Sequence, residues 1–280
     1  MPLSPSPLSP SAIVTRLRAA GCVFAEDEAE LLVATARTPA DLAAMVGRRI
    51  EGEPLEHVLG WAGFHGLRIA VDPGVFVPRR RTEFLVEQAA VLARPGAVVV
   101  DLCCGTGALG AALGAGLEGA ELHAADIDPA AVRCARRNVR AAGGLAYEGD
   151  LYDPLPASLR GRVDVLLANV PYVPTEEIDL LPAEARVHEA RVALDGGADG
   201  LDVLRRVTAE AASWLAPGGS LLFETSERQA ERAAAIVTRD GLGARVATSD
   251  ELYATVVIGT RSSEVPQATR DGWTPHPSPS

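Results

Sequence analysis

Read as hydrophobic and polar positions alone, the chain changes period twice. From Ser11 to about Gly52 the apolar residues recur at helical spacing. Ile13, Leu17 and Ala20 share one stripe, Ala29, Leu32, Val33 and Ala36 a second, and Leu42, Met45 and Val46 a third. Such stripes predict two or three short amphipathic helices, with too few residues for a large core of their own. From Trp61 to Val77 the pattern shortens to apolar–polar alternation broken by Gly63, Gly66 and Gly74, the mark of a hairpin or connecting loop. After Thr82 strand-like and helix-like runs alternate. Strands are predicted at 97–102, 121–126, 145–149, 163–168, 219–224, 244–249 and 254–260, and helices at 82–93, 107–116, 129–142, 201–215 and 227–240.

Local signals sharpen these boundaries. Asp128-Pro129 offers an N-cap carboxylate and a proline preset for a first helical turn, and Gly143-Gly144 offers a stop. Alternating strands and helices imply a mostly parallel sheet covered on both faces. The last two strands are joined only by Asp250 to Tyr253, too short for a parallel crossover, so they should pair antiparallel. The division expected is a tail over 1–10, a helical domain over 11–60, a hairpin or linker over 61–78, a catalytic domain over 79–261 and a second tail over 262–280. Both tails are Pro/Ser-rich and expected to be disordered.

Composition narrows the setting. The 280 residues are 48% hydrophobic and 22% charged, enough for a full core. No apolar run approaches the roughly 20 residues of a membrane-spanning helix, and Met1 to Pro10 has neither the basic start nor the apolar centre of a secretory signal. Cys22, Cys103, Cys104 and Cys134 form no CxxC pair and no disulfide framework. A cytoplasmic location is expected, with no membrane partner and no metal. The net charge of −11 disfavours a large nucleic-acid footprint, which needs basic surface.

Two stretches carry chemistry. The first is Asp101-Leu102-Cys103-Cys104-Gly105-Thr106-Gly107, between a strand and a helix. Gly105 and Gly107 let a ligand approach the backbone at the position where doubly wound sheets bind nucleotides. The spacing is not GxGxxG and no lysine follows, so a neutral or cationic nucleoside fits better than a polyphosphate. Asp126 ends the next strand, about 20 residues on, where a carboxylate can hold ribose hydroxyls. Asp150 and Leu151 end the third strand, where they can meet an adenine amine and ring; a solvated strand-end aspartate is the plainer reading. The adjacent cysteines have no further partners to hold zinc.

The second stretch is Asn169-Val170-Pro171-Tyr172, after the fourth strand and on the same sheet edge. An amide nitrogen is a poor nucleophile because its lone pair is delocalised. The Asn169 side-chain oxygen and a neighbouring backbone carbonyl, Val170 being the obvious source, can hold both N–H groups and aim the nitrogen at a sulfonium methyl, with Tyr172 stacked on the planar group. A turn that merely stops a strand is the alternative.

Taken together, these segments resemble the HemK/PrmC family of protein-(glutamine-N5) methyltransferases, which modify class 1 peptide chain release factors. The likeness runs through most of 48–226. Arg48-Arg49 with Gly52-Glu53-Pro54-Leu55 and Gly60 is similar to the family's R…G-x-P…G segment. Phe64-His65-Gly66-Leu67 is similar to its EF-x-G run, and Phe76-Val77-Pro78-Arg79-Arg80-Arg81-Thr82-Glu83 to its IPRPDTE segment. Leu194-Asp195-Gly196-Gly197-Ala198-Asp199-Gly200-Leu201, then Pro217-Gly218-Gly219 and Phe223-Glu224-Thr225, complete the series.

The resemblance implies a Rossmann-like class I SAM-dependent methyltransferase with a seven-stranded mostly parallel α/β sheet and a small helical N-terminal domain that helps bind a protein substrate. The cofactor implied is S-adenosyl-L-methionine, held by Asp101, Cys103, Cys104, Gly105, Thr106, Gly107, Asp126, Asp150, Leu151 and Asn169. The substrate amide would meet Asn169, Val170, Pro171 and Tyr172, with Phe76 and Arg79 beside them. The implied partner is a class 1 release factor methylated on the glutamine of its Gly-Gly-Gln loop.

The departures are specific. Val170 replaces the first proline of NPPY, leaving the carbonyl in place but removing a restraint on Asn169. Arg80 and Arg81 stand for Pro and Asp, adding positive charge near the cleft. Cys103-Cys104 stand for Gly-Thr, and Ala190 for a proline after Glu189. Two other functions use the same features: methylation of an exocyclic amine on a nucleic acid, supported by the Arg79–Arg81 run, and a non-catalytic donor-binding paralogue, supported by Val170.

Overall fold

The computed structural model describes residues 8–263. Four helices open the chain: α1 (Pro10–Ala19), α2 (Ala25–Thr35), α3 (Pro39–Ile50) and α4 (Leu55–Leu59). Most of the stripe residues, Ile13, Leu17, Ala29, Leu32, Met45 and Val46, meet with Val58 in one small core, whereas Ala20 and Val33 are exposed. The first helix begins inside the tail expected over 1–10: Pro10 is its first residue, and the Ser9 hydroxyl accepts the Ala12 N–H. The rest of the two expected tails, 1–7 and 264–280, lies outside the described residues.

A hairpin follows, β1 (Trp61–Phe64) and β2 (Leu67–Ala70). His65 and Gly66 turn it with φ of +47° and +76°, the left-handed pair that a two-residue hairpin turn requires. Beyond it the alternation is α5 (Glu83–Leu92), β3 (Val98–Leu102), α6 (Ala108–Ala115), β4 (Glu121–Asp126), α7 (Pro129–Val139), β5 (Leu145–Glu148), β6 (Val163–Ala168), α8 (Ala183–His188), α9 (Asp202–Trp214), β7 (Leu215–Thr225), α10 (Ala230–Arg239), β8 (Gly243–Ser249) and β9 (Ala254–Thr260). The Asp128 carboxylate caps α7 by accepting the Ala130 N–H, and Gly143 ends the following turn at φ +71°.

The seven strands lie in the order β5-β4-β3-β6-β7-β9-β8, parallel throughout except that β9 runs antiparallel to both neighbours. The central strands are buried on both faces, so side chains alternate between two layers. Along β6, Leu166 and Ala168 join Leu204, Trp214 and Phe223 on one side, while Val165 and Leu167 join Leu85, Ala89 and Leu109 on the other. Among the described residues no helix is long and apolar enough to cross a membrane.

Three elements depart from expectation. The α4 helix at Leu55–Leu59 lies beyond the last helical stripe, which ends by Gly52. β7 starts at Leu215, directly off α9, and an irregularity between Val163 and Val165 absorbs the extra length around Pro217-Gly218. The α8 helix was not foreseen, because only Ala185 of its six residues is buried and no apolar stripe marks it.

Arg49 ties the N-terminal helices to the rest. Its Nε donates to Glu28 of α2 at 2.7 Å, and one Nη donates to the Glu53 carbonyl at 3.0 Å and to Glu184 of α8 at 2.5 Å. Arg49 and Glu28 side chains are each 10% exposed, so removing the guanidinium would leave a buried carboxylate unpaired. Arg49→Met should therefore lower unfolding free energy by about 3 kcal/mol. Arg18→Met, which breaks an ion pair between two exposed side chains, should change it by less than about 0.5 kcal/mol. Urea denaturation of the two variants measures the contrast.

Candidate active site

The strand order reverses between β3 and β6, which are paired in register so that Leu102 lies opposite Ala168. Their carboxyl ends therefore deliver the Gly-rich loop and Asn169 side by side, at the crevice where such sheets bind ligands. A cavity of about 440 Å³ opens there. Of the residues expected from the sequence, Cys103, Cys104, Gly105, Thr106, Asp126, Asp150, Leu151, Asn169, Val170, Pro171, Tyr172, Phe76 and Arg79 line it. Asp101 and Gly107 do not.

Those two act behind the loop. Asp101 is wholly buried; its Oδ2 accepts the Gly110 N–H at 2.9 Å and its Oδ1 has no partner among the described residues. Burial, with too few hydrogen bonds to offset it, pushes this carboxyl up to about 8. Gly107 has φ +74°, and a Cβ there would sit 3.0 Å from Val139 and 3.1 Å from Ala135, so α7 rather than a ligand demands the glycine. Gly105 is the reverse case. A Cβ there would meet nothing nearer than Phe76 at 4.0 Å, and its φ of +53° alone restricts it.

Asp126 closes the loop from the end of β4. Its Oδ2 accepts the Gly105 N–H at 2.8 Å and its Oδ1 the Asp128 N–H at 2.9 Å. Burial raises its pKa, and the main-chain donors partly offset the rise. Cys103 adopts φ +52°, a left-handed conformation that costs a residue with a Cβ roughly 1–2 kcal/mol. Burial lifts the thiols of Cys103 and Cys104 well above their ordinary range, so neither is a ready nucleophile. Asp150 is engaged by an arginine the sequence reading missed: Arg206 of α9 donates to its Oδ2 at 2.6 Å.

At the end of β6, the Asn169 side-chain amide and the Val170 carbonyl carry no hydrogen bond among the described residues. The Val170 side chain sits in the core, which holds the loop down in place of the proline ring. Tyr172 is fastened at both ends. Its carbonyl accepts from Gln229 Nε2 at 3.0 Å. Its hydroxyl donates to Glu224 Oε1 at 3.0 Å and accepts from Arg81 Nη2 at 2.5 Å. Burial and the Glu224 charge push this phenol well above its ordinary range. Arg81, expected to add positive charge near the cleft, also donates from Nε to Glu224 Oε1 at 2.8 Å, while Thr82 Oγ1 donates to Glu224 Oε2 at 2.7 Å.

The Leu194–Leu201 segment is the cradle for this loop. Val173 N–H donates to the Leu194 carbonyl and Gly196 N–H to the Val173 carbonyl, at 3.2 and 2.8 Å. A Cβ on Gly196 would lie 2.7 Å from the Pro171 carbonyl oxygen, and one on Gly200 would collide with that of Tyr172. Two backbones pass too closely for any other residue. Arg79 stacks over Phe76 with 4.9 Å to the ring centre and donates to buried Glu189 at 2.6 Å. Ala190 donates its N–H to the Gly74 carbonyl at 3.1 Å, a bond the family's proline could not make.

Residues 66–200 match the family model "Methyltransferase small domain". The chain is 38% identical over 208 residues, 72% of either chain, to the release factor glutamine methyltransferase of Geobacter sulfurreducens. It is also 38% identical over 191 residues, 66% of this chain and 65% of the relative, to the 4-amino-L-phenylalanine/4-methylamino-L-phenylalanine methyltransferase of Streptomyces pristinaespiralis. The solved structure of a methyltransferase from Pyrococcus furiosus shares the fold, with a TM-score of 0.54 and 17% identity over 70% of this chain and 90% of that one.

The Asp101 carboxyl has a measurable consequence. Its folded-state pKa of about 8 lies above the unfolded value of about 3.9. The contribution to stability is thus complete below about pH 4 and lost as pH rises through about 8. Asp101→Asn, which keeps an acceptor for Gly110 and cannot ionise, should flatten the stability profile across that window and be more stable than the parent above pH 8. Urea midpoints at pH 5 and pH 8.5 check this.

Proposed function

We infer that this chain, which belongs to the release factor glutamine methyltransferase family, transfers a methyl group from S-adenosylmethionine to the side-chain amide nitrogen of a glutamine in a class 1 release factor. The observation that carries the reading is the uncommitted pair at the end of β6: the Asn169 amide and the Val170 carbonyl, beside the Gly-rich loop and free of partners among the described residues.

The residues present fit the donor. Asp126 and Asp128 line the cavity and accept only main-chain N–H groups among the described residues, so two carboxylates without cationic partners complement a positively charged ligand. Leu151 and Ile127 offer apolar walls nearby. Bound there, the donor supplies an activated sulfonium methyl.

The chain's own residues do the positioning. Asn169 Oδ1 accepts one amide N–H and the Val170 carbonyl the other, which fixes the planar group against the Tyr172 ring and turns its nitrogen towards the methyl. With the donor bound, its methyl would pass to the held nitrogen, the sulfur keeping the electron pair of the broken carbon–sulfur bond as a neutral thioether. The nitrogen's surplus proton leaves for solvent afterwards, so no general base is required before transfer. The helical segment 11–60 is assigned to recognition of the protein substrate, supported by the Arg49 bridge to Glu184 on the cavity rim.

The planar-nitrogen slot also suits an arylamine, and the Streptomyces pristinaespiralis relative is named for one. Mass spectrometry on a class 1 release factor incubated with the protein and S-adenosylmethionine separates the two. One methyl gained on the Gly-Gly-Gln glutamine is the expected result. No gain on the release factor, with methylation of 4-amino-L-phenylalanine instead, would overturn it. Asn169→Ala should lower kcat by about 10²-fold or more with donor affinity retained. Asp126→Ala should weaken donor binding in calorimetry.

A further inference from the structure

We propose that Arg81 is a positioning residue for the acceptor: it locks the Tyr172 ring through a closed triangle with Glu224, and so restricts the slot to flat groups that stack. This rests on the acceptor reading above. The triangle has three edges, Arg81 Nε to Glu224 Oε1 at 2.8 Å, Arg81 Nη2 to the Tyr172 hydroxyl at 2.5 Å and that hydroxyl to Glu224 Oε1 at 3.0 Å. Chemistry sets the direction of each bond. Arginine can only donate and an ionised carboxylate can only accept, so the phenol receives from Arg81 and gives its single proton to Glu224.

That commitment decides what Tyr172 offers an acceptor. With its one O–H proton spent on Glu224, it presents a ring face and not a hydrogen-bond donor. The ring cannot swing away, because Gln229 holds the carbonyl at the other end of the residue and Thr82 saturates the second oxygen of Glu224. The Glu224 side chain is 3% exposed, against 47% for Arg81, so the carboxylate is the fixed member and the guanidinium reaches it from the cavity wall. A lysine could neutralise Glu224 as a point charge, but it lacks the planar fork that lets one side chain meet carboxylate and phenol at once. The aspartate found at this position in the resembled segment would donate to neither and would repel Glu224. Since misplacement of a reacting group by about 1 Å costs on the order of 10²-fold in rate, a wall fixed this firmly controls turnover and not only binding.

A double-mutant cycle tests this, with Arg81→Ala, Tyr172→Phe and the pair, read as kcat and KM for the release factor. Each single variant should lower kcat/KM about 10- to 100-fold, and the double should be no worse than the weaker single, because both break one unit. Donor affinity by calorimetry should match the parent throughout. Arg81→Lys should restore the thermal midpoint lost in Arg81→Ala but not its kcat/KM. Additive losses, or recovery of both quantities by lysine, would overturn the proposal and leave Arg81 a structural counter-charge.

A readout independent of turnover separates this from the acceptor reading. In ring-labelled protein, the two sides of the Tyr172 ring should give separate NMR signals through slow flipping, and merge in Arg81→Ala. Signals unchanged in Arg81→Ala would refute the lock even if the release factor is methylated. Separate signals that merge, in a protein that leaves the release factor unmethylated, would refute only the acceptor reading.

Discussion

Everything at the site follows from one pairing, that of β3 with β6. They are far apart in sequence, run parallel and match in register at Leu102 and Ala168. Because the chain leaves β3 towards one edge of the sheet and returns at β6 to build the other, no crossover covers the gap between their carboxyl ends. The pairing is thus both the centre of the hydrophobic core and the reason for a hole beside it. A slip of one residue would turn Val165 and Leu167 to the wrong layer, so the packing that stabilises the sheet also fixes where Asn169 emerges.

Charge around that hole is arranged unevenly. Each lining arginine has a carboxylate to itself: Arg79 with Glu189, Arg81 with Glu224 and Arg206 with Asp150. These pairs supply rigid walls while adding little net field. Asp126 and Asp128 stand outside the pairing, stabilised only by main-chain N–H groups. Among the described lining residues the carboxylates without a cationic partner thus lie on the β4 side, which suits the cationic donor and neutral amide proposed above.

The parts of this arrangement that were legible in the sequence are those with a local signature. Apolar runs such as 97–102 and 163–168 lie within two residues of their strands, Asp128-Pro129 caps its helix, and a short link forces the last pair antiparallel. The loops at Cys103–Gly105 and Asn169–Tyr172 could be read because strand ends of a parallel sheet share one edge. What escaped notice lacks any period: Arg206 reaching Asp150, Gln229 holding Tyr172, and Arg81 finding Glu224 across more than a hundred residues. Two residues of the Gly-rich stretch stand behind the cavity and do not line it. Asp101 accepts the Gly110 N–H of α6, and Gly107 packs against Ala135 and Val139 of α7.

The two halves of the site also differ in when they can be built. Cys103 to Gly107 and Asp126 draw their partners from the stretch up to Val139, whereas the Asn169–Tyr172 loop leans on the Leu194–Leu201 cradle, Glu224 and Gln229. Domains emerge from the ribosome amino-terminus first, at about 5–20 residues per second. A nascent chain therefore contains the hydrogen-bond partners of the Gly-rich loop before it contains Glu224 and Gln229, which brace Tyr172. If the two loops hold donor and acceptor as proposed, the order of the chain supplies the residues of the donor side first.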